Sequence, residues 1–342
     1  MIAITILFLL LGGLGLYFGA KFVITGLEDI ALRFGVSHIL VGLTILSIGT
    51  SLPEIAVSVL GGLDKFFGID TAIDGIVIGN KIGSFFTQIT LVLGILGLVQ
   101  PIFISKWKLR REGSMMFISV LIFIIFTFDG LLVKYEAILL IISYIVYLIF
   151  IIISEKKIEK KQEEIRRFIA ERDGIEFEVH KHEEKKEKSK VHLLKEIGYT
   201  ILGLFLLIFG AQLALISGHD IAKLFNIPES IVGIFIIGLE TSLPELIADI
   251  TAIRRNSAGI AVGDILGSNV CDILLATGSG ALIVDFNVPL ILLYFDIPML
   301  LLAIGLVCYF LFSKKNLNRW EAGLLVLYYS TYTILKLFFF QI

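Results

Sequence analysis

Hydrophobic positions run together in two apolar blocks separated by a charged spacer. A helix that crosses a bilayer needs about 20 mainly apolar residues. Ten segments meet that requirement: 2–25, 38–63, 72–98, 113–129, 132–153, 196–217, 229–253, 258–283, 290–312 and 320–341. Five precede the spacer and five follow it. The pattern predicts an all-α integral membrane protein of ten transmembrane helices, divided into 1–153, a charged loop at 154–195, and 196–342. The first run lacks a basic n-region and is too long for a signal peptide, so it reads as the first span.

Composition sharpens this picture. Of the 342 residues, 57% are hydrophobic before any glycine is counted. A typical soluble domain has roughly 45–50% with glycine included. From Ser154 to Glu196 there are 13 Lys/Arg and 12 Asp/Glu, so nearly half of all charge sits in one eighth of the chain. No basic stripe exists outside the loops that flank the spans, which argues against a nucleic-acid partner. Cys271 and Cys308 each lie in an apolar stretch and imply no disulfide framework.

Lys and Arg in short loops orient a membrane protein with its positive side in the cytoplasm. With ten spans, one side collects Arg33, Lys106, Lys108, Arg110, Arg111, the spacer, Arg254, Arg255, Lys314, Lys315 and Arg319. The opposite loops hold only Lys65, Lys134 and Lys223. The expectation is a multi-pass protein of the cell membrane with both termini outside and the 154–195 loop cytoplasmic. Trp107 and Trp320, beside the basic clusters, suit interfacial anchors.

The two halves resemble each other. At an offset of 191, Gly19-Ala20 matches Gly210-Ala211, Asp29-Ile30-Ala31 matches Asp220-Ile221-Ala222, and Val41-Gly42 matches Val232-Gly233. In the same register Thr50-Ser51-Leu52-Pro53-Glu54 matches Thr241-Ser242-Leu243-Pro244-Glu245. Past a loop seven residues longer in the first half the offset becomes 184, aligning Gly83-Ser84 with Gly267-Ser268 and Gly94 with Gly278. Each half has an odd number of spans, so the second copy enters the membrane upside down. Inverted repeats of this kind place one site at the midplane of many secondary transporters.

The chemistry gathers at the repeated motif. Pro53 and Pro244 fall in the middle of spans two and seven, where a missing N–H and a clash with the carbonyl four residues back break a helix. A simple packing kink is the bland account of one such proline. Two at equivalent positions, each followed by Glu, favour a functional break. A charged acid at a helix centre costs about 2.5–3.5 kcal/mol. Glu54, Glu245 and Asp272 each carry that cost, and Glu240 is a further candidate. No Lys or Arg lies in the apolar cores of spans two, seven and eight, so bound cations or protons must supply most of the balancing charge. Hard oxygen donors surround the acids at helical spacing: Thr50 and Ser51, Thr241 and Ser242, Ser84 with Gln88, and Ser268 with Asp272. Such donors suit sodium or calcium. No His/Cys cluster argues for zinc or copper. Cys271, beside Asp272, reads as a small packing residue.

The paired TSLPE segments, each followed by a Gly-Ser helix bearing an amide or acid four residues on, resemble the two alpha-repeats of the calcium:cation antiporter superfamily. The closest likeness is to its prokaryotic sodium/calcium exchangers, whose motif is GTSLPE. The resemblance covers all ten spans, with repeat motifs at about 42–94 and 233–278. It implies a bundle in which spans two, three, seven and eight surround the ion sites. Glu54 and Glu245 would be the principal ligands shared by calcium and sodium. Thr50, Ser51, Thr241, Ser242, Ser84 and Ser268 would complete the sodium sites, with Gln88 and Asp272 at the central amide and acid positions. The transported ions would be calcium and sodium, with no cofactor and no enzymatic activity.

The sequence departs from that pattern in places. The glycine before TSLPE is Gly49 in the first half but Glu240 in the second, Lys81 replaces an aliphatic residue, and Phe85 and Gln88 each replace Asn. Two readings of Lys81 and Glu240 stand. In one they form a buried pair whose ammonium takes the place of a transported cation, or which couples transport to protons. In the other Lys81 snorkels outward and Glu240 faces water in an access funnel. Asp264 reads equally as a vestibule acid or a polar residue satisfied within its helix. Asp296, before Pro298, reads as an interfacial helix N-cap.

In the spacer, Ile158, Ile165, Phe168 and Ile169 suggest a short amphipathic helix over 158–169. Ile175, Phe177 and Val179 alternate briefly, and His180 and His182 read as part of a solvated linker. No EF-hand pattern is present. Rival functions are a proton-coupled exchanger, a sodium-coupled exchanger of another cation, a channel, or an intramembrane enzyme. The enzyme is disfavoured because neither HExxH nor GxSxG occurs in the spans.

Overall fold

The computed structural model of the chain describes residues 2–33, 47–70, 73–103, 106–173, 190–254, 258–314 and 316–339. Outside them lie the first part of the second expected span, with Val41-Gly42, and the spacer stretch that holds Ile175, Phe177, Val179, His180 and His182.

Helices make up most of the described residues. They are α1 (Ile2–Arg33), α2 (Ser47–Thr50), α3 (Leu52–Phe66), α4 (Asp74–Phe86), α5 (Leu93–Val99), α6 (Lys106–Thr127), α7 (Lys134–Asp173), α8 (Lys190–Phe225), α9 (Glu229–Val232), α10 (Gly238–Thr241), α11 (Leu243–Arg254), α12 (Ala258–Cys271), α13 (Thr277–Ala281), α14 (Ile297–Lys314) and α15 (Arg319–Phe339). Among the described residues six stretches are long and apolar enough to cross a membrane, and the bent pair Glu229–Thr241 and Leu243–Arg254 makes a seventh if it is one span. The chain is a mostly helical, multi-pass membrane protein.

The structure corrects the sequence reading at the fourth expected span, in the spacer and at Asp296. At the fourth expected span α6 begins at Lys106 rather than 113, with Arg111 neutralised inside it by Glu112 at 2.6 Å and also by Glu155. No separate helix occupies 158–169. Instead α7 continues unbroken to Asp173, since nothing between Lys134 and that point interrupts its backbone ladder. Asp296 is not an interfacial cap. It closes a π-helical turn, Leu292–Asp296, that leads directly into α14, and it is fully buried. There it accepts from Tyr332 and pairs with Lys336 at 2.5 Å. A carboxylate this deep needs a charge partner, and α15 supplies one.

The most extensive helix pairing is α1 against α8, the first helices of the two halves. Gly19 and Gly210, repeat partners, sit at the contact. A side chain at Gly210 would lie 2.6 Å from the backbone nitrogen of Leu16, and one at Gly19 would lie 2.7 Å from that of Leu207. In lipid, where apolar side chains gain nothing by leaving solvent, this close approach of backbones is what holds helices together. The outward faces carry Ile6, Leu10, Ile149, Phe205 and Phe209, all exposed, as a lipid-facing surface would.

Two short antiparallel strand pairs join the halves. Ile102 and Phe103 (β1) pair with Leu317 and Asn316 (β4), and Leu131 and Leu132 (β2) pair with Asn287 and Phe286 (β3). Shifting β1 by 184 gives β3, and shifting β2 by 185 gives β4. Exchanging the halves therefore turns one pairing into the other.

Every residue of α4 is buried, and most described residues of its repeat counterpart α12 are too. These two helices and the broken α2–α3 and α10–α11 segments carry the polar residues singled out above.

Candidate ion-binding site

Both TSLPE segments interrupt their helix at the serine. Ser51 has φ −81° and ψ 4°, and Ser242 has φ −82° and ψ 0°. The prolines explain the matching angles. Each lies in the first turn of the following helix, where its missing N–H needs no partner, and each forbids the preceding helix from running through. The second break bends its span by 41°. Helical order resumes at once, with Ile55 bonding back to the Ser51 carbonyl at 3.0 Å and Leu246 to that of Ser242 at 3.1 Å.

The breaks bring the two motifs face to face. Ser84, on α4, donates to Glu54 Oε1 at 2.9 Å and lies 3.0 Å from the Ser242 hydroxyl and 3.4 Å from Asp272 Oδ2. Gln88, one turn on, donates to Ser84 at 3.1 Å and to Asp272 Oδ2 at 3.4 Å, and accepts from Ser268 at 2.8 Å. Ser51 reaches the Ser268 carbonyl at 3.5 Å. The helix geometry adapts here: a π-helical turn spans Thr87–Val92, and another spans Asp272–Ala276 at the equivalent place in the second half. Such turns widen a helix and recur at functional sites.

Thr50 and Thr241 take a different place. Thr50 donates to Asp264 Oδ1 at 3.3 Å, and Asn80 donates to Thr241 at 3.4 Å. Asn80 and Asp264 are repeat partners, so each threonine reaches the same position of the opposite half. Asp264 is buried and accepts a hydrogen bond across helices from Thr50.

All ten of these predicted residues other than Glu240 and Lys81 are fully or almost fully buried. Among the described residues several carboxylate oxygens have no hydrogen-bond partner: Glu54 Oε2, Asp272 Oδ1 and both oxygens of Glu245. Glu245 has Glu54, Asp272 and Asp264 as its charged neighbours. Oxygen atoms of carboxylate, hydroxyl and amide type thus converge with lone pairs to spare, which suits a hard cation.

Lys81 and Glu240 do not meet. The Lys81 side chain is fully buried and donates to the Glu54 backbone carbonyl and, at 3.1 Å, to Asn80 Oδ1. Glu240 is also buried, but its carboxyl lies against Gly12 and Gly13 of α1, occupying the space that side chains there would fill. Both expectations for the pair fail. A lysine on α4 points into the acid cluster because every face of that helix is buried, and Glu240 turns toward the glycine notch in α1.

Asp249 was missed by the sequence reading. It is buried, with Oδ2 unpartnered, one helical turn beyond Glu245. The i,i+4 spacing was the available signal. Away from this centre, His219 Nδ1 lies 2.8 Å from Glu229 and 3.1 Å from Asp70, a half-buried cluster that joins the loop after α3, the end of α8 and the start of α9.

The family model for sodium/calcium exchanger protein matches residues 4–153 and 195–338. The sodium/calcium exchanger MaX1 of Methanosarcina acetivorans is 28% identical over 98% of this chain and 99% of its own. An uncharacterised membrane protein of Methanocaldococcus jannaschii is also 28% identical, over 94% of each chain. Among solved structures, one of the sodium-calcium exchanger NCX_Mj matches with a TM-score of 0.60 and 27% identity over 99% of both chains. Two of these three, MaX1 and NCX_Mj, are sodium/calcium exchangers by name. With the family model matching most of the chain and both motifs assembled in one buried oxygen-rich centre, this protein belongs to the sodium/calcium exchanger family.

Proposed function

We propose that this protein is a secondary active antiporter that exchanges calcium for sodium by alternating access through a site at the middle of the bilayer. The observation that carries the reading is the set of buried carboxylate oxygens without hydrogen-bond partners on Glu54, Glu245 and Asp272, from both halves. Each such group is costly in a membrane interior unless a cation balances it. Glu54 and Glu245 are the principal ligands. Ser51, Ser84, Ser242, Ser268, Thr50 and Thr241 supply hydroxyls, Gln88 an amide and Asp272 a third carboxylate.

The halves form inverted repeats of five helices each, giving ten spans. Support comes from the matching break angles at Ser51 and Ser242, the reciprocal contacts of Thr50 and Thr241, and the exchange of β1–β4 with β2–β3. A site related to itself by such symmetry is reached equally well from either side, which is the basis of alternating access. The protein lies in the cell membrane with both termini outside and the 154–195 loop cytoplasmic, an orientation supported by the distribution of Lys and Arg.

Calcium uptake by vesicles containing the reconstituted protein tests this. An outward sodium gradient should drive uptake and an outward proton gradient should not. Uptake driven by protons alone, or by neither gradient, would overturn the assignment of sodium as the coupling ion.

A further inference from the structure

The internal repeat supplies its own comparison for Lys81. Its partner at offset 184 is Ile265, and both side chains are fully buried. One half therefore places an apolar group where the other places an ammonium. That ammonium makes no carboxylate salt bridge among the described residues. It is held by neutral oxygens, the Glu54 carbonyl and Asn80 Oδ1. Its charged neighbours are Glu54 and Asp272, the two acids that share Ser84. An alkylammonium ligated by a carbonyl and an amide oxygen beside a carboxylate cluster has the surroundings of a bound monovalent metal ion. It differs in being tethered.

We infer that Lys81 acts as a built-in monovalent cation and sets the exchange ratio at two sodium ions for each calcium ion, an electroneutral cycle. The inference rests on the exchange reading above. Three carboxylates, Glu54, Glu245 and Asp272, and one fixed ammonium leave two negative charges. One calcium ion or two sodium ions neutralise them equally. Were position 81 apolar like Ile265, three charges would remain, and a third sodium ion would be needed to balance them. Glu240 stands outside this count because it faces α1; Asp264 touches the three acids only through Glu245 and is held by Thr50, and Asp249 has Asp264 alone as a charged neighbour among the described residues. The lysine is thus a specificity-determining residue: it selects how many monovalent ions the site takes without itself being transported.

The test is the thermodynamic balance point of exchange in reconstituted vesicles, with membrane voltage set by potassium and valinomycin. In the unmodified protein, sodium-driven calcium flux should be indifferent to voltage. The calcium ratio at which net flux stops should follow the square of the sodium ratio. In Lys81→Met the flux should become voltage-sensitive and the balance point should follow the cube at zero voltage. Lys81→Arg, which keeps the charge, should retain the square. Voltage-sensitive flux with a cubic balance point in the unmodified protein would overturn the inference, even if neither variant folds. An unchanged square in an active Lys81→Met would overturn it too. Absence of any sodium-driven uptake in the unmodified protein would instead overturn the exchange reading on which it rests.

Discussion

The hydroxyls of Ser84 and Ser242 lie 3.0 Å apart across the boundary between the two halves of the chain. Each belongs to a different repeat, and Ser84 also bonds Glu54 and Asp272. A bound cation would draw on groups from both halves through this contact. Ser84→Ala should therefore weaken calcium and sodium together, by about 10–100-fold, the range seen when a group that orients metal ligands is lost. The concentration dependence of uptake for each ion would show it, and a change in only one ion's affinity would contradict the shared site.

Glu54→Gln and Glu245→Gln keep shape and remove charge. Losing a buried charged partner costs about 3–5 kcal/mol, more than about 100-fold in affinity. Sodium-driven calcium uptake should fall to background in both variants, while each still elutes as a single species in detergent. Near-normal uptake in either would remove that residue from the site.

Gln88 holds Ser84, Ser268 and Asp272 in one network. Gln88→Leu should cost about as much as Ser84→Ala by releasing all three groups. Gln88→Asn, which retains the amide, should recover part of that loss in the same uptake assay. Equal activity of Gln88→Leu and the unmodified protein would show that the network has no part in transport.

Lys336 and Asp296 form a buried pair between α15 and the start of α14, far in sequence from the TSLPE motifs. Lys336→Met leaves the buried Asp296 carboxylate with the Tyr332 hydroxyl but without the ammonium that balances it, and should lower stability by about 3–5 kcal/mol. Thermal unfolding in detergent would measure this. The double variant Lys336→Met/Asp296→Leu should regain most of the loss, since a well-packed apolar replacement of a buried pair is close to neutral.

Gly210 lets α8 approach the backbone of α1. Gly210→Leu should cost about 1–3 kcal/mol or more, because the atom it meets is the Leu16 backbone nitrogen and cannot rotate away. Gly305→Leu, where a side chain would meet open space, is the matched control and should leave the melting temperature unchanged.

Much of the geometry of the candidate site is readable in the sequence because its logic is local. Pro53 and Pro244 announce their helix breaks through a missing N–H, whatever surrounds them. The spacings Ser84–Gln88 and Ser268–Asp272 place donors on one helical face. The repeat then states which positions correspond, and the reciprocal contacts of Thr50 with Asp264 and of Asn80 with Thr241 follow that correspondence. Asp249 obeyed the same spacing rule from Glu245, yet passed unnoticed. The spacer helix misled because an amphipathic stretch of charged residues looks the same whether it starts anew or extends a span.

What the sequence determined by itself was the membrane character, the division into related halves and the oxygen chemistry of the centre, all properties of apolar run length, residue type and helical period. Only the tertiary structure decided where the long side chains go. Lys81 ends on the Glu54 carbonyl rather than on Glu240, Glu240 fills a notch made by Gly12 and Gly13, and Asp296 finds Lys336 forty residues away. These outcomes depend on the rotation and separation of neighbouring helices. A flexible side chain can reach several partners from one backbone position, and packing, not local sequence, chooses among them.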